Sequence, residues 1–220
     1  MMDLKNYYDS EYHSTRHGTL IADSQLFNAR AAVENWLYFR DVPPSARVFD
    51  FGCGIGQSIA LVPGACGWDL SRESREISRA RGLTIFENLT DVPSDTFDLV
   101  FSRHTLEHVP DPLRYLEDAR RFAGPNGRLR LVLPGRERAT VITDVDAVNL
   151  HLYCWTPQTI VNLLHVAGWR AEHVAYTPYG GYTKMLPVCR ALGATAYRIA
   201  CQSAARLLGT VELRVTARKR

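Results

Sequence analysis

The sequence lacks long apolar runs, paired cysteines and a strong net charge. No stretch approaches the roughly 18 consecutive apolar residues that a membrane span needs. Residues 1–12 are charged and aromatic, unlike the apolar region of a signal peptide. We therefore expect a cytoplasmic protein without a transmembrane segment. The five cysteines contain no Cys-x-x-Cys pair, which argues against both a disulfide framework and a zinc ribbon.

The charge is nearly balanced overall but uneven along the chain. Lys and Arg number 26 against 23 Asp and Glu, too small an excess for the basic field typical of nucleic-acid-binding domains. We therefore expect no nucleic-acid partner. Residues 183–220, however, hold eight Lys and Arg and one acidic residue, Glu212. An anionic surface would meet this basic C-terminal segment first, so a peripheral membrane contact through it stays open.

What the sequence does have is the composition of a folded domain. Of its 220 residues, 46% are apolar and 22% are charged, close to the globular average, and the length suits one large domain. We predict a single domain over residues 1–220 and leave its oligomeric state open. Its expected parts are a helical cap (1–44), a core (45–135) and a second half (136–220) with a helical insertion (177–210).

Strand and helix patterns alternate along the chain. Mostly apolar strands that alternate with helices predict an α/β fold, with a largely parallel sheet covered by helices on both faces. The predicted strands are 46–51, 66–70, 83–86, 97–102, 128–133, 170–176 and 211–217. The predicted helices are 24–39, 57–61, 72–81, 112–122, one that begins at Thr156-Pro157 and stops at Gly168, and 186–208.

The predicted helix 186–208 has an apolar side and basic residues elsewhere. Leu192, Ala196, Ile199 and Leu207 share one side of a helical wheel. We expect this side to pack on the sheet and leave a solvated basic face. The alternative is a surface that meets anionic lipid or an anionic substrate.

A glycine cluster follows the first predicted strand in residues 48–56 (VFDFGCGIG). Glycines at such a turn let the backbone approach a ligand closely. The spacing is Gly-x-Gly-x-Gly, and Gln57 stands where the dinucleotide fingerprint needs its third glycine. Asp69, at the end of the second predicted strand, is placed to accept hydrogen bonds from a ribose diol. The Asp50 carboxylate would repel a pyrophosphate and attract a ligand with an ammonium or sulfonium group.

Together with further motifs, this loop resembles the class I S-adenosylmethionine-dependent methyltransferases, and it is similar to the ubiquinone-biosynthesis O-methyltransferase group. The other motifs are residues 67–70 (GWDL), 97–101 (FDLVF), 106–112 (LEHVPDP) and 125–127 (PNG). The resemblance is close over residues 46–135 and weaker beyond them. It implies a doubly wound, mostly parallel seven-stranded Rossmann-like sheet, with an N-terminal helical lid and a helical insertion before the last strand.

The resemblance also implies the cofactor S-adenosylmethionine, the product S-adenosylhomocysteine, and a set of cofactor-binding residues. Asp50 and the glycine loop would surround the methionine part, and Asp69 would bind both ribose hydroxyls. Asn88 stands where the family often has an Asp that binds the adenine amino group. The complete predicted set is Asp50, Gly52, Cys53, Gly54, Gly56, Asp69, Leu70, Asn88, Leu89, Ser102 and Arg103.

The segment 104–108 (HTLEH) matches the zinc-peptidase pattern His-x-x-Glu-His. That motif belongs inside a long helix, whereas this segment follows a strand and meets Pro110 and Pro112. The similar ubiquinone-biosynthesis enzymes carry two glutamates and a histidine here that can hold a divalent metal. This chain has His104 in place of the first glutamate, and we predict no metal.

Histidines are the candidate catalytic groups, because a base assists methyl transfer to a hydroxyl and the unperturbed pKa of histidine lies near neutrality. His104 and His108 follow the fourth strand, where the fold opens beside the methyl group. His151, in a long loop, is the third candidate. Tyr153 beside it is a predicted acceptor contact, and Tyr8 and His17 are predicted to contribute to a lid over the acceptor.

The acceptor is expected to be a small molecule, a sugar or a lipid-linked glycan that is methylated on oxygen. Enzymes that methylate base amines often carry an Asn/Asp-Pro-Pro-aromatic tetrapeptide after the fourth strand, and residues 102–105 read SRHT. Three alternatives stay open. They are an N-methyltransferase of a small molecule, a protein that binds S-adenosylmethionine without turnover, and a metal hydrolase.

Overall fold

The computed structural model describes residues 7–9, 13–135, 149–180 and 183–220, and it describes no side chains for residues 13–17. Its helices are α1 (His13–Ala22), α2 (Ser24–Phe39), α3 (Arg72–Ala80), α4 (Pro112–Phe122), α5 (Pro157–Val166) and α6 (Leu186–Leu208). Its strands are β1 (Val48–Phe51), β2 (Cys66–Trp68), β3 (Thr84–Ile85), β4 (Phe97–Arg103), β5 (Ala123–Pro134), β6 (Trp169–Pro178) and β7 (Val211–Lys219).

The seven strands form one mixed sheet in the order β3-β2-β1-β4-β5-β7-β6. The pairs β2–β3, β1–β4 and β4–β5 are parallel, whereas β5 and β7 are antiparallel, with Leu131 opposite Val215. The predicted seven-stranded α/β fold is therefore confirmed. None of the helices in the described part of the chain has an apolar stretch long enough to cross a bilayer.

The centre of the sheet is covered on both faces, as its apolar strands predict. All four residues of β1 are buried. Phe49 lies 5.0 Å from Phe97 and 5.1 Å from Phe122 between ring centroids. This aromatic contact packs α4 against β1 and β4.

The chain divides into two compact units, each built from separate stretches of sequence. The first unit takes the described residues of Met1–Ser45, Cys53–Glu87 and Pro178–Thr210, and the second takes those of Ala46–Gly52, Asn88–Thr177 and Val211–Arg220. In the first unit, α2 and α6 share an apolar core that includes Phe27, Val33 and Leu186. The second unit holds the parallel pairs β1–β4 and β4–β5.

The prediction of a short helix at 57–61 is wrong. The backbone there makes successive tight turns, in which the Val62 amide bonds the Ile59 carbonyl and the Ala65 amide bonds the Val62 carbonyl. These are i to i−3 bonds, whereas an α-helix needs i to i−4 bonds. Pro63 and the positive φ of Gly64 end the segment before a helix can form.

The predicted orientation of α6 is also wrong. Leu192, Ile199 and Leu207 are exposed, and the buried side of the helix is formed by Tyr197, Cys201 and Ala205. The helix breaks at Gly193, where φ is 82°. After the break, small and aromatic side chains therefore fill the contact with the core, and the larger aliphatic side chains Ile199 and Leu207 face outward.

Candidate active site

The glycine loop is crowded at Gly52 and open at Gly54. A Cβ atom at Gly52 would lie 2.4 Å from the Thr105 side chain, whose hydroxyl donates to the Gly52 carbonyl at 3.3 Å. At Gly54, where φ is 52°, a Cβ would meet no atom within 4 Å. The loop is thus held firmly at Gly52 and borders open space at Gly54, as a ligand-binding turn requires.

Asp69 is fixed in place by backbone amides of the first unit. The Gly54 amide donates to Asp69 Oδ2 at 2.8 Å, and the Ser71 amide donates to Asp69 Oδ1 at 2.9 Å. Each carboxylate oxygen can accept more than one hydrogen bond, so both can also receive a hydroxyl. A preoriented pair of acceptors beside an open glycine fits the ribose diol and methionine part of S-adenosylmethionine.

Arg75 holds the backbone of Asp69 and Leu70 in place after β2. The sequence analysis did not identify this residue. Its guanidinium donates to the carbonyls of Asp69 and Leu70 at 2.8 and 3.0 Å, and to Glu87 Oε1 at 3.1 Å. Arg79 also pairs with Glu87, at 2.7 Å. Arg75 is buried although it lies in a polar helix, and nothing in its local sequence distinguishes it from the exposed arginines nearby.

A second residue that sequence reasoning missed is Glu34 in α2, whose side chain is fully buried. It accepts hydrogen bonds from the Gln57 amide, from Ser58 Oγ at 2.8 Å and from Tyr179 Oη at 3.2 Å. Gln57 and Ser58 directly follow the glycine loop. Helical periodicity could have found this residue, because Glu34 shares the inward side of α2 with Phe27.

Asp50 and Ser102 are the next-to-last residues of the parallel strands β1 and β4 in the second unit, where Asp50 pairs with Phe101. Ligands of doubly wound sheets bind at this carboxyl edge. The Ser102 hydroxyl lies 2.7 Å from Tyr115 Oη, which donates to the Phe51 carbonyl at 2.6 Å. Both predicted cofactor residues are buried, so their positions are set by packing.

His104 is held between two buried carboxylates. Its Nε2 lies 2.9 Å from Glu212 Oε1, and its Nδ1 lies 3.5 Å from Glu107 Oε1. Burial and the nearby Arg103 lower the pKa of His104, but the contacts with Glu107 and Glu212 outweigh them and raise it above its usual value. An imidazolium with a carboxylate at each nitrogen is a poor base, so this geometry does not favour His104 as the proton acceptor.

His108 has the opposite setting. Its Nδ1 lies 3.3 Å from the Leu150 carbonyl, which can only accept, so in this hydrogen bond the proton is on Nδ1 and the lone pair is on Nε2. Burial lowers the pKa of His108, opposed by the neighbouring Glu107. A neutral imidazole is the state a general base needs, and His108 Nε2 lies 3.9 Å from Glu107 Oε1.

The structure brings the two predicted histidine groups together. The His151 ring lies 4.9 Å from the His108 ring, and the Leu152 and Tyr153 amides donate to the Glu107 carbonyl at 2.8 and 3.2 Å. Tyr153 Oη also donates to the Pro110 carbonyl, at 3.0 Å. The segment that carries His151 is therefore anchored beside the 104–108 segment.

The same group brings metal-binding atoms together. Glu107, His108 and His151 each offer one ligand atom, and these atoms lie within 4.8 Å of one another. A divalent ion could be shared at such a spacing. The helix here is only the 3-10 turn Leu106–His108, so the long helix of a zinc peptidase is not formed at this motif.

The remaining predicted residues have varied settings. Arg103 donates to Glu212 at 3.2 Å, and Cys53 is buried, with its amide bound to the Trp68 carbonyl. The Asn88 side-chain amide donates to Asp91 at 3.0 Å, just before the 3-10 turn Leu89–Asp91.

Of the predicted lid residues, Tyr8 packs edge-on against Tyr7. The side chain of His17 and the predicted insertion residues 181–182 lie outside the described residues.

Glu212 was not predicted as a site residue, yet it contacts three basic side chains of this region. It is buried and accepts from Arg103 and His104, and Arg214 Nη2 lies 3.5 Å from its Oε2. The one sequence feature that could have drawn attention to Glu212 is that it is the single acidic residue among the many basic ones of 183–220.

Comparison with known proteins gives a consistent result. A family model described as "Methyltransferase domain" matches residues 23–174. The chain is 34% identical over 98 residues to a ubiquinone biosynthesis O-methyltransferase of Vibrio cholerae, covering 38% of this chain and 40% of the relative. It is 30% identical over 121 residues to a probable chloroplastic tocopherol O-methyltransferase of Oryza sativa subsp. japonica, covering 46% of this chain and 33% of the relative. The matches thus span a third to two-fifths of the length of these curated relatives.

A solved structure extends the match to nearly the full chain. An S-adenosylmethionine-dependent methyltransferase of Thermotoga maritima, described as a possible histamine N-methyltransferase, has a TM-score of 0.63 at 16% identity and covers 98% of this chain and 99% of its own. At that identity the likeness shows the fold alone. Since the family model covers more than half of the sequence, the chain belongs to the methyltransferase-domain family, with the fold of the class I S-adenosylmethionine-dependent methyltransferases.

Proposed function

We propose that this chain methylates a hydroxyl oxygen of a small-molecule acceptor, with S-adenosylmethionine as the methyl donor. The observation that carries methyl transfer is the Asp69 carboxylate, preset by the Gly54 and Ser71 amides beside an open glycine loop, in a chain of the methyltransferase-domain family. The named O-methyltransferase relatives favour oxygen as the acceptor atom. A small molecule, a sugar or a lipid-linked glycan is the proposed acceptor, since residues 102–105 lack the tetrapeptide of base-amine methyltransferases.

S-adenosylmethionine, when bound, supplies a sulfonium-activated methyl group. Asp69 would accept the ribose hydroxyls, and the buried Asp50 carboxylate at the end of β1 would favour a cationic ligand. Asn88, Leu89, Ser102 and Arg103 remain proposed cofactor contacts. In an in-line displacement the acceptor oxygen forms its bond as the carbon–sulfur bond breaks, so most of the acceleration comes from positioning.

His108 is the proposed base. The Leu150 carbonyl holds its proton on Nδ1, and its Nε2 would take the hydroxyl proton of the acceptor as the oxygen attacks. His151 and Tyr153, anchored against the same segment, are proposed acceptor contacts. Tyr8 and His17 remain proposed parts of the lid.

The test is calorimetric titration of metal-stripped protein with S-adenosylmethionine and S-adenosylhomocysteine. Asp69→Ala should weaken binding about hundredfold, because it removes charge-assisted hydrogen bonds to two hydroxyls. Asp98→Ala is the matched control, since Asp98 forms an exposed ion pair with Arg47 and its loss should leave binding unchanged. Failure of the unchanged protein to bind either ligand would refute the proposal.

Metal-assisted methyl transfer is the second candidate, because Glu107, His108 and His151 converge. A bound cation would use the same His108 lone pair that the base mechanism needs. Turnover of a catechol acceptor should persist in EDTA if His108 is the base. Turnover that disappears in EDTA and returns with Mg²⁺, Mn²⁺ or Zn²⁺ would favour the metal mechanism instead.

A small amine acceptor assayed in parallel tests the N-methyltransferase alternative. Cofactor binding without turnover of either acceptor favours a non-catalytic protein.

A further inference from the structure

The outward side of α6 carries large aliphatic side chains in solvent. Ile199 is 58% exposed and Leu207 is 88% exposed, while Cys201 on the opposite side is fully buried. Leu192, just before the break at Gly193, is 73% exposed. Single exposed aliphatic residues are ordinary, but a group of them on one helix indicates a contact surface.

The same helix is cationic and has no acidic residue. Residues 183–210 contain four basic residues, and neither Asp nor Glu occurs among them. Arg206, next to Leu207, is exposed. Arg190 donates to Gln25 at 3.1 Å and lies 3.7 Å from the Asp23 carboxylate, so the charge of this arginine is paired beside α2. The exposed side of α6 therefore combines aliphatic groups with positive charge.

A tryptophan on α2 adds a third feature. Trp36 is 37% exposed. The guanidinium carbons of Arg198 and Arg40 lie 4.1 and 4.4 Å from the centre of the Trp36 ring. Tryptophan and arginine are the residues enriched where helices meet the headgroup layer of a bilayer, because each has an apolar body and a polar end. Arg198 links this tryptophan directly to α6.

We propose that this surface, formed by Ile199, Arg206, Leu207 and Trp36, docks on an anionic lipid bilayer. Charge decides between a bilayer and a second copy of the chain. In a two-fold dimer the surface would face itself and bring like charges together without an acidic residue of α6 to pair them. An anionic leaflet attracts the arginines, and its acyl boundary can bury the aliphatic side chains. The inference rests on the proposed function, since docking would bring the enzyme to acceptors dissolved in lipid.

The test is flotation of the full chain with vesicles of phosphatidylcholine alone or with about one-third phosphatidylglycerol. We expect binding to the anionic vesicles, little binding to the neutral ones, and weakening as salt is raised. The double substitution Ile199→Ser and Leu207→Ser should weaken anionic binding at least roughly tenfold. Arg206→Glu should weaken it as well, because it reverses a charge at the headgroup layer.

Val166→Ser is the matched control, because Val166 is 67% exposed on α5 and lies in the second unit. It should bind vesicles as the unchanged protein does. All variants are compared for helicity and for binding of S-adenosylhomocysteine, which the outward α6 residues should not affect.

Equal binding to neutral vesicles, no binding, or an unaffected double variant would each overturn the proposal. So would a dimer, measured by light scattering, that the double substitution converts to a monomer, since a second copy would then cover the surface. Protein that binds S-adenosylhomocysteine but no vesicle would refute docking alone. Loss of S-adenosylhomocysteine binding in the unchanged protein would refute the proposed function itself.

Discussion

Two fully buried carboxylates, Glu34 in the first unit and Glu107 in the second, have opposite partners. Glu34 receives neutral donors, among them the Ser58 and Tyr179 hydroxyls at 2.8 and 3.2 Å. Glu107 faces two histidines, with its Oε1 at 3.5 Å from His104 Nδ1 and 3.9 Å from His108 Nε2. Neutral donors do not change charge near neutral pH, whereas histidines do.

The difference separates two tasks that a methyltransferase must perform. The glycine loop needs a fixed shape, and donors that do not titrate near neutral pH hold it in place. In the proposed reaction the acceptor side needs a group that can take a proton, and His108 is the proposed one. Under this proposal the Glu34 region supplies rigidity and the Glu107 region supplies proton chemistry, so substitutions in each should have different signatures.

The largest expected effect is on turnover, from His108→Gln. Glutamine keeps much of the volume but cannot take the proton, so kcat should fall about hundredfold or more. Binding of S-adenosylhomocysteine should change by less than about twofold, because ground-state binding does not use the base. Methyl transfer to a catechol acceptor and calorimetry give the two readouts.

His165→Gln on α5 is the matched control, because His165 is exposed and the variant should keep its full turnover. Unchanged kcat in His108→Gln would remove His108 from the mechanism and turn attention to His151.

The second effect is on stability, from Glu34→Ala. The substitution leaves the Gln57 amide and the Ser58 and Tyr179 hydroxyls without their buried acceptor, which should cost about 3 kcal/mol of unfolding free energy. Cofactor affinity should fall too, because Gln57 and Ser58 follow the glycine loop. Urea unfolding measures the first effect and calorimetry the second.

Glu76→Ala removes an exposed carboxylate that pairs with Arg72 at 2.7 Å, and this control should cost less than about 0.5 kcal/mol. A Glu34→Ala protein as stable as this control would show that the buried network does not hold the loop.

The glycine loop could be predicted from sequence because its signals are local. Positive φ at Gly52 and Gly54 is a property of the turn itself, and Asp69 follows its own strand by one residue. Such features depend on a few consecutive residues, so a short motif is enough to locate them. The α/β class and the largely parallel sheet also followed from the alternation of apolar strands and helices.

The histidine region and α6 could not be predicted in the same way. His104 meets Glu212 across 108 residues of sequence, and no local pattern announces that contact. In α6, hydropathy alone favoured burial of Ile199 and Leu207, but the core accepts Tyr197 and Cys201 instead. Tertiary packing decided which side of the helix faces inward, and a helical wheel contains no information on the shape of the partner surface.

The smallest effect concerns the charge of His104. In the folded chain burial and Arg103 lower its pKa, but Glu107 and Glu212 raise it overall. A raised folded-state pKa means that the imidazolium stabilises the fold below the unfolded pKa of about 6.5, and that this contribution is lost as pH rises through the folded-state pKa. His104→Gln should therefore lower the melting temperature more at about pH 6 than at about pH 9. His173→Gln, at an exposed position of β6, is the matched control. A His104→Gln deficit that is equal at both pH values, or larger at the higher one, would mean that His104 is neutral between its two carboxylates, and His104 would then regain its place beside His108 as a candidate base.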